Sequence, residues 1–172
     1  MTITAPIKRE VWGNEAERLY LAWRIPEAKN EDADVISVIS EVLNNNKCGL
    51  IDININLAQK MLGAGTGTYG LSDQGAFLLI GMPKGGQTLD DVRELLLAEM
   101  KKLREGDFDD DLVPAIINNA KLQLQRSFES NDSRADYYVD AFVNGQPWAD
   151  VVKSFDNFDK ITKADVVAVA NK

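Results

Sequence analysis

The 172-residue sequence contains no histidine and only one cysteine, Cys48. Without histidine the chain has no Ser-His or Cys-His nucleophile pair, and it lacks the most common general base and zinc ligand. A site built from carboxylates suits harder ions than zinc. We therefore expect no catalytic zinc and no other cofactor in this chain. A lone cysteine cannot form an internal disulfide, and we expect Cys48 to be a small, partly buried apolar residue.

The chain also lacks an excess of positive charge and any long apolar run. Its 27 acidic residues outnumber 19 Lys and Arg residues, giving a net charge of -8. Such a charge opposes binding to nucleic acid and anionic lipid. No apolar run approaches the roughly 18 residues of a membrane span, and MTITAPIKREVW has no apolar signal-peptide core. We expect a soluble chain that binds neither nucleic acid nor membrane, with periplasm, cell envelope and cytoplasm all left open.

The stretch GAGTGTYG has the spacing of a dinucleotide-binding loop, G-x-G-x-x-G, beginning at Gly65. This motif binds a pyrophosphate only when its glycines follow a buried strand and open a helix. Here LAQKML precedes it without a β-branched run, and AFLLIG follows as a short apolar run typical of a strand. The pattern predicts strands over residues 64–71 and 76–82, joined by a turn at 72–75, rather than a nucleotide site.

Two further strands are predicted near the N-terminus. Residues 7–12 and 18–25 flank the turn-like GNEA, and Leu19, Leu21 and Trp23 alternate with less apolar neighbours. This pattern predicts a hairpin with one face toward a core.

Two helices are predicted from their capping signals. The first has Asn30 as its cap, an acidic first turn and an end near Asn44. Its buried stripe is expected to consist of Val35, Val38, Ile39, Val42 and Leu43. The second begins at a capping box formed by Thr88 and Asp91 and ends at Gly106.

Residues 107–172 are predicted to be helical throughout. Pro114 fits only the first turn of a helix, and new helices are indicated at Ser133, Pro147 and Thr162. Strands in one sheet with helices packed over them form an α+β domain, and this length suits a single one.

One segment, GLIDININLAQKML, fits two structures. Its isoleucines and Leu57 alternate as in a strand, and periodicity alone favours that structure. Ile51, Ile55 and Leu62 also fit one face of a helix.

The order of these elements, and several phrases within it, resemble the pitrilysin/insulinase family of inverted-zincin metallopeptidases, specifically a non-catalytic domain of that family. The phrases are RLYLAWRIPEAKNEDADVISVISEVL and KCGLIDININLAQKMLGAGTGTYGLSDQGAFLLIGMPKGGQTLDDVRELLLAEMKKLREGDFDDDLVPAIINNAKLQLQ. The likeness runs from about Arg18 to Lys172 and rests on the ordered set rather than on one motif.

The resemblance implies an α+β fold in which an antiparallel-rich mixed sheet carries its helices on one face, a metallopeptidase-like, ferredoxin-related half-domain. It also implies that the disputed segment is helical over Ile51–Met61. In the family a further strand follows the last helix, so residues 1–172 are expected to form one non-catalytic domain excised from a longer chain. The expected partners are the catalytic domain of the same or a sister chain and a peptide substrate.

The family's catalytic motif, H-x-x-E-H, is absent from this sequence. In that motif two histidines bind zinc and the glutamate is the general base for water. The resemblance therefore implies that zinc belongs to the catalytic domain of a parent metalloendopeptidase and that this domain is not an enzyme by itself. Some partner halves place an Arg and a Tyr near the scissile bond, but the aligned positions here hold Ala58 or Gln59 and Ala64.

Other features have simpler structural explanations. The acidic GDFDDDL run, residues 106–112, lacks the glycine turn and distal glutamate of an EF-hand and fits a helix start better than a calcium site. Trp12, Trp23 and Trp148 are expected to be packing residues, and Lys84 a solvated surface residue.

The exposed backbone of GAGTGTYGL is the remaining candidate site. Extended peptides add to sheet edges through main-chain hydrogen bonds, and small residues leave room for close approach. We predict a peptide-binding edge at Gly65, Gly67 and Tyr69. Two functions stay open, a non-catalytic domain that shapes the substrate chamber of a zinc peptidase and a free-standing α+β interaction or assembly module. Fold alone does not decide between them.

Overall fold

The computed structural model describes residues 5–27, 30–70 and 73–172, and the side chains of 154–156 are not described. The strands are β1 (Leu19–Ile25), β2 (Gly63–Tyr69) and β3 (Gly75–Met82), and the helices are α1 (Ala33–Leu43), α2 (Leu89–Glu105), α3 (Leu112–Ser127), α4 (Asn131–Val143), α5 (Trp148–Phe158) and α6 (Lys163–Asn171). A π-helical segment, Asp52–Leu57, lies between α1 and β2. Leu71, the last residue of the strand predicted over 64–71, and Ser72, the first of the turn predicted at 72–75, lie outside the described residues.

The three strands form an antiparallel sheet in the order β1-β3-β2. Leu79 of β3 lies opposite Leu21 of β1 on one side and opposite Thr66 of β2 on the other. β3 is therefore the central strand, and β1 and β2 are the two edges of the described sheet. The strands predicted over 64–71 and 76–82 are confirmed, with small shifts at their ends.

The side chains of the central strand β3 show that one face of the sheet is buried and the other is half-buried. Along β3 the buried residues Gly75, Phe77, Leu79 and Gly81 alternate with the half-buried residues Ala76, Leu78, Ile80 and Met82. Helix α2 packs on the buried face so closely that a Cβ atom on Gly81 would lie 2.5 Å from Val92 Cγ1. The predicted α+β class is confirmed, and the described strands pair only in antiparallel fashion rather than forming a mixed sheet.

Helix α2 begins where its capping signals predict it, whereas the predicted cap of α1, Asn30, is wrong: α1 begins at Ala33 after the N-cap Asp32, which makes no side-chain capping bond. The Asp32 N–H donates to Asn30 Oδ1 over 3.0 Å, and α1 buries the whole predicted stripe. At α2 the Asp91 N–H donates to Thr88 Oγ1 over 3.1 Å, and the Thr88 N–H donates back to the Asp91 carboxylate over 2.9 Å. Gly106 ends α2 in the left-handed conformation, with φ 72°.

The C-terminal third is helical as predicted, except that one helix begins earlier. Pro114 lies in the first turn of α3, and a second capping box opens α6. The predicted start at Ser133 is wrong, because Ser130 has extended backbone and accepts the Ser133 N–H through its hydroxyl. Helix α4 therefore begins at Asn131.

The disputed segment is helical, as the family resemblance implies. Ile51 and Ile55 are fully buried, whereas Ile53 is 47% and Leu57 77% exposed. A strand would have placed all four side chains on one face. The helical part ends at Leu57, short of the expected Met61, and the Lys60 N–H donates to the Ile55 carbonyl in the five-residue pattern of a π-helix.

Three sequence predictions for the N-terminal half are wrong. Residues 7–12 form no strand, and the expected packing residue Trp12 is 91% exposed. In a strand Ile7 and Val11 would share a face with the charged Arg9, and Trp12 would lie on the opposite face with Lys8 and Glu10, so neither face would be apolar along its length. Cys48 lies exposed in the loop after α1 rather than partly buried, and its Sγ accepts a hydrogen bond from the Asn45 amide over 3.6 Å.

The other two tryptophans contact aromatic neighbours. Trp23 lies tilted against Phe77, with ring centroids 6.3 Å apart, and Trp148 stacks on Tyr138, with centroids 4.0 Å apart. None of the described helices is both long enough and apolar enough to cross a bilayer.

Candidate functional site

The outer edge of β2 is the site to which the sequence points. Gly65, Gly67 and Tyr69 all lie in this strand, which pairs with β3 on one side. In the part of the chain that the structure describes, no strand pairs with its other side. The structure thus places all three predicted residues in an edge strand.

The hydrogen bonds of Asn56 show which main-chain groups of β2 face outward. Asn56 Nδ2 donates to the Ala64 carbonyl, and the Ala64 N–H donates to Asn56 Oδ1, each over 2.9 Å. Since both groups of Ala64 point away from β3, alternation along an antiparallel strand turns those of Thr66 and Thr68 outward as well.

The main-chain groups of the three residues predicted from the sequence therefore do not face outward, as pairing with a peptide at these residues would require. Main-chain groups of Gly65, Gly67 and Tyr69 point toward β3 and belong to the ladder that holds the sheet together. The open donors and acceptors belong to Thr66 and Thr68. The sequence pattern does not reveal which main-chain groups of β2 face outward. The hydrogen bonds between Asn56 and Ala64 reveal it.

The space beside the edge is uneven. A Cβ atom on Gly67 would make only ordinary contacts, 3.8 Å from Leu78 Cβ, whereas a Cβ atom on Gly65 would come within 3.1 Å of Asn44 Oδ1. The Thr66 hydroxyl is bonded to the Ser40 hydroxyl over 2.8 Å, so its side chain is held against α1. Thr68 is exposed and is the most accessible outward-facing residue of β2.

Two buried carboxylates anchor the π-helical segment next to this edge. Asp52 accepts hydrogen bonds from Asn44 Nδ2, from the Asn45 N–H over 2.8 Å and from the Gly49 N–H over 3.1 Å. Glu99 of α2 accepts from Asn54 Nδ2 over 2.7 Å and pairs with Lys102 over 3.0 Å. Asp52 holds main-chain N–H groups and Glu99 holds the side chains of Asn54 and Lys102, so both carboxylates serve the architecture of the edge.

The acidic run after α2 is engaged in helix-start and ion-pair contacts. Asp109 Oδ1 accepts the Asp111 N–H over 2.8 Å, and Lys163 Nζ lies 2.7 Å from Asp110 Oδ1. The hydrogen bond from Lys163 and its charge lower the pKa of Asp110 below its ordinary value. Lys163 also donates to the Phe108 carbonyl, so the run fastens α6 to the start of α3.

No residues in the described part of the chain fit a catalytic zinc ion. The sequence offers no imidazole, and no three Asp, Glu or Cys side chains gather there as a metal-binding group. Lys84, expected to be solvated surface, is exposed and its Nζ donates to the Gln59 carbonyl over 3.3 Å.

A cleft of about 500 Å³ lies between α1 and α3. Apolar side chains of Val38, Ile116 and Leu124 line it together with Tyr137 and the Glu41 carboxylate. Desolvation and the nearby charge of Asp52 raise the pKa of Glu41 above its ordinary value.

Comparison with known proteins defines the class. The sequence profile of the peptidase M16 inactive domain matches residues 4–120, which is more than half of the chain. The chain therefore belongs to the family of peptidase M16 inactive domains. The resemblance to a non-catalytic domain of the pitrilysin/insulinase metallopeptidases is confirmed. Comparison with curated protein sequences gives no significant match.

Solved structures share the fold. A protease from Helicobacter pylori is 20% identical with a TM-score of 0.84, and the match covers 90% of this chain and 37% of that one. The inactive peptidase domain of a Bordetella parapertussis protein is 15% identical with a TM-score of 0.78, covering 93% and 86%. A chain of Complex III2 from Candida albicans is 13% identical with a TM-score of 0.72, covering 90% and 39%. The chain thus spans little more than a third of the Helicobacter pylori protease.

Proposed function

We propose that this chain is the non-catalytic half of a zinc-dependent endopeptidase, in which it packs against the zinc-bearing domain and shapes the substrate chamber. Membership in the peptidase M16 inactive domain family is the observation that carries the proposal. The absence of histidine supports the division of labour, because the hydrolytic water of such an enzyme needs a zinc ion and a general base from elsewhere.

We further propose that β2 holds an extended stretch of the substrate. Outward-facing main-chain groups of Thr66 and Thr68 can pair with any peptide backbone, and Gly67 leaves space beside them. Such pairing makes little demand on side chains, so it suits a peptidase chamber that receives varied sequences. A held substrate also presents its scissile bond in a restricted orientation, which favours reaction at the zinc-bearing half.

The test compares two proline substitutions in the full peptidase that contains this domain. Thr68→Pro removes an outward-facing donor, a change that edge strands tolerate. Gly67→Pro removes a donor of the β2-β3 ladder and serves as the control for damage to the sheet. We expect Thr68→Pro to fold normally and to reduce cleavage of a long peptide more than cleavage of a short one.

Two results would contradict this function. Unchanged cleavage of both peptides by the folded Thr68→Pro enzyme would remove the docking role of β2. Peptide hydrolysis by the 172-residue chain alone, in the presence of a chelator, would show that catalysis belongs to this domain and would overturn the division of labour.

An assembly module is the second candidate, since the same fold also occurs in a chain of Complex III2. A domain of this class could serve as a structural subunit without meeting a peptide substrate. The two candidates differ in one measurable property. A full protein that contains H-x-x-E-H and retains stoichiometric zinc supports the peptidase half, whereas a full protein with neither supports the assembly module.

A further inference from the structure

A side chain closes one end of the open edge of β2. Asn56 supplies both an N–H donor and a carbonyl acceptor to Ala64, in two bonds of 2.9 Å. A residue of a neighbouring strand would make the same pair of bonds in an antiparallel ladder. The side-chain amide therefore occupies the place that the first residue of an added strand would take.

We propose that Asn56 sets the register of an extended peptide on β2, so that pairing begins at Thr66 and cannot include Ala64. The inference rests on the proposed docking role of β2 and names the form of the ligand. The ligand is an extended segment with free main-chain N–H groups at two alternate residues, opposite Thr66 and Thr68. Beyond Thr66 the segment must turn away from the sheet.

The position of Asn56 is fixed by the residues on both sides of it. Ile55 is fully buried, and the preceding Asn54 donates to the buried Glu99 carboxylate over 2.7 Å. After Asn56, the Lys60 N–H returns to the Ile55 carbonyl over 2.9 Å. Moving the amide away from Ala64 would therefore strain an anchored segment.

A peptide that replaced the hydrogen bonds of Asn56 to Ala64 would also gain no binding free energy there. A peptide that displaced Asn56 would gain two hydrogen bonds and break two, and it would leave a partly buried amide without its partners. At Thr66 and Thr68 the peptide breaks no main-chain hydrogen bond made by the described residues. The open part of the edge is therefore short. The two bonds from Asn56 to Ala64 also prevent β2 from pairing over a longer stretch with other strands.

The experiment follows amide hydrogen exchange of individual β2 residues by NMR in the 172-residue chain. The probe is the capped hexapeptide Ac-Lys-Thr-Val-Thr-Val-Lys-NH2, and its N-methylated form is the control that cannot donate to the edge. Asn56→Ala removes both bonds to Ala64. Asn56→Asp at pH 7 keeps the shape and the acceptor but removes the donor, and Leu57→Ala, at an exposed position of the same segment, is the matched control.

In the unaltered chain we expect slow exchange at Ala64 without peptide, and added protection only at Thr66 and Thr68 with peptide. In Asn56→Ala the free Ala64 amide should exchange rapidly, and the peptide should then protect Ala64 too and bind about tenfold more tightly. Asn56→Asp should keep exchange at Ala64 slow, because the carboxylate still accepts the Ala64 N–H, and should free only the Ala64 carbonyl. Leu57→Ala should keep the original footprint.

The possible failures are distinguishable. Peptide protection of Ala64 in the unaltered chain, or rapid exchange there without peptide, overturns the role of Asn56 while leaving the docking edge in place. Absence of peptide protection at Thr66 and Thr68 in every variant overturns the docking edge itself, and the register role with it.

Discussion

Asp52 is the residue whose loss should most damage the region around the candidate edge. It is buried and accepts three hydrogen bonds, two of them from main-chain N–H groups. Asp52→Ala leaves these donors without an acceptor, and we expect a loss of roughly 2–3 kcal/mol in the free energy of unfolding. Urea denaturation checks this, with Glu15→Ala on an exposed loop as control. Equal stability of the two variants would contradict the anchoring role.

Glu41 should make stability depend on pH in the opposite way from most carboxylates. Because its pKa is raised in the folded chain, its stabilising contribution is complete below the ordinary pKa of a glutamate and is lost as the pH rises through the raised value. Glu41→Gln mimics the neutral form. We expect it to raise the unfolding midpoint at pH 7 and to leave it unchanged in acid, measured by thermal unfolding beside Glu15→Gln. A lower midpoint at pH 7 would show that the charged form is preferred.

At the scale of elements, the capping box of α2 should give the ordinary acid dependence. The hydrogen bonds from Thr88 hold the pKa of Asp91 below its usual range, so the stability it contributes is present above that range and is lost as the pH falls through the lowered pKa. Asp91→Asn should therefore destabilise the chain at pH 7 and become indistinguishable from the unaltered chain in strong acid. Urea midpoints across the pH range test this, and a difference that persists in acid would contradict it.

The same caps explain why most helices could be predicted from the sequence. Thr88 with Asp91 and Thr162 with Asp165 are local signals that need no tertiary contact, and both are confirmed. The short apolar run AFLLIG likewise predicted β3, whose side chains are alternately buried and half-buried in the structure. Periodicity failed in the Ile51–Leu57 stretch, because the helical segment buries Ile51 and Ile55 but exposes Ile53 and Leu57, which a strand would have placed on the same face.

The candidate site was predictable only in part. Composition identified β2 as an edge rich in small residues, and the structure places Gly65, Gly67 and Tyr69 there. Which main-chain groups are open depends on a contact between Asn56 and Ala64, and nothing in the spacing of these two residues indicates it. Which residues of a strand direct their N–H and carbonyl groups toward a neighbour depends on how the two strands pair, so the sequence of one strand does not determine it.

At the scale of the whole molecule, α4 carries an apolar patch formed by Tyr138, Val139, Phe142 and Val143, all of them exposed. Phe142 is 87% exposed, so Phe142→Ser should leave the unfolding midpoint almost unchanged while reducing self-association at high concentration. Light scattering over a concentration series measures this. Thr68→Pro is the comparison, since association through the β2 edge would respond to it instead. A patch variant that associates as strongly as the unaltered chain would exclude α4 as the contact.

The π-helical segment also has a consequence for in-frame deletions. Its bonds enclose one residue more than those of an α-helix, so the loss of a single codon there can be absorbed by a change to α-helical bonding. A chain lacking the exposed Ile53 should still fold, whereas a chain lacking the exposed Arg93 in α2 must rotate Leu96 and Leu103 away from the core. Circular dichroism and thermal unfolding of the two deletion variants would reveal this difference in tolerance.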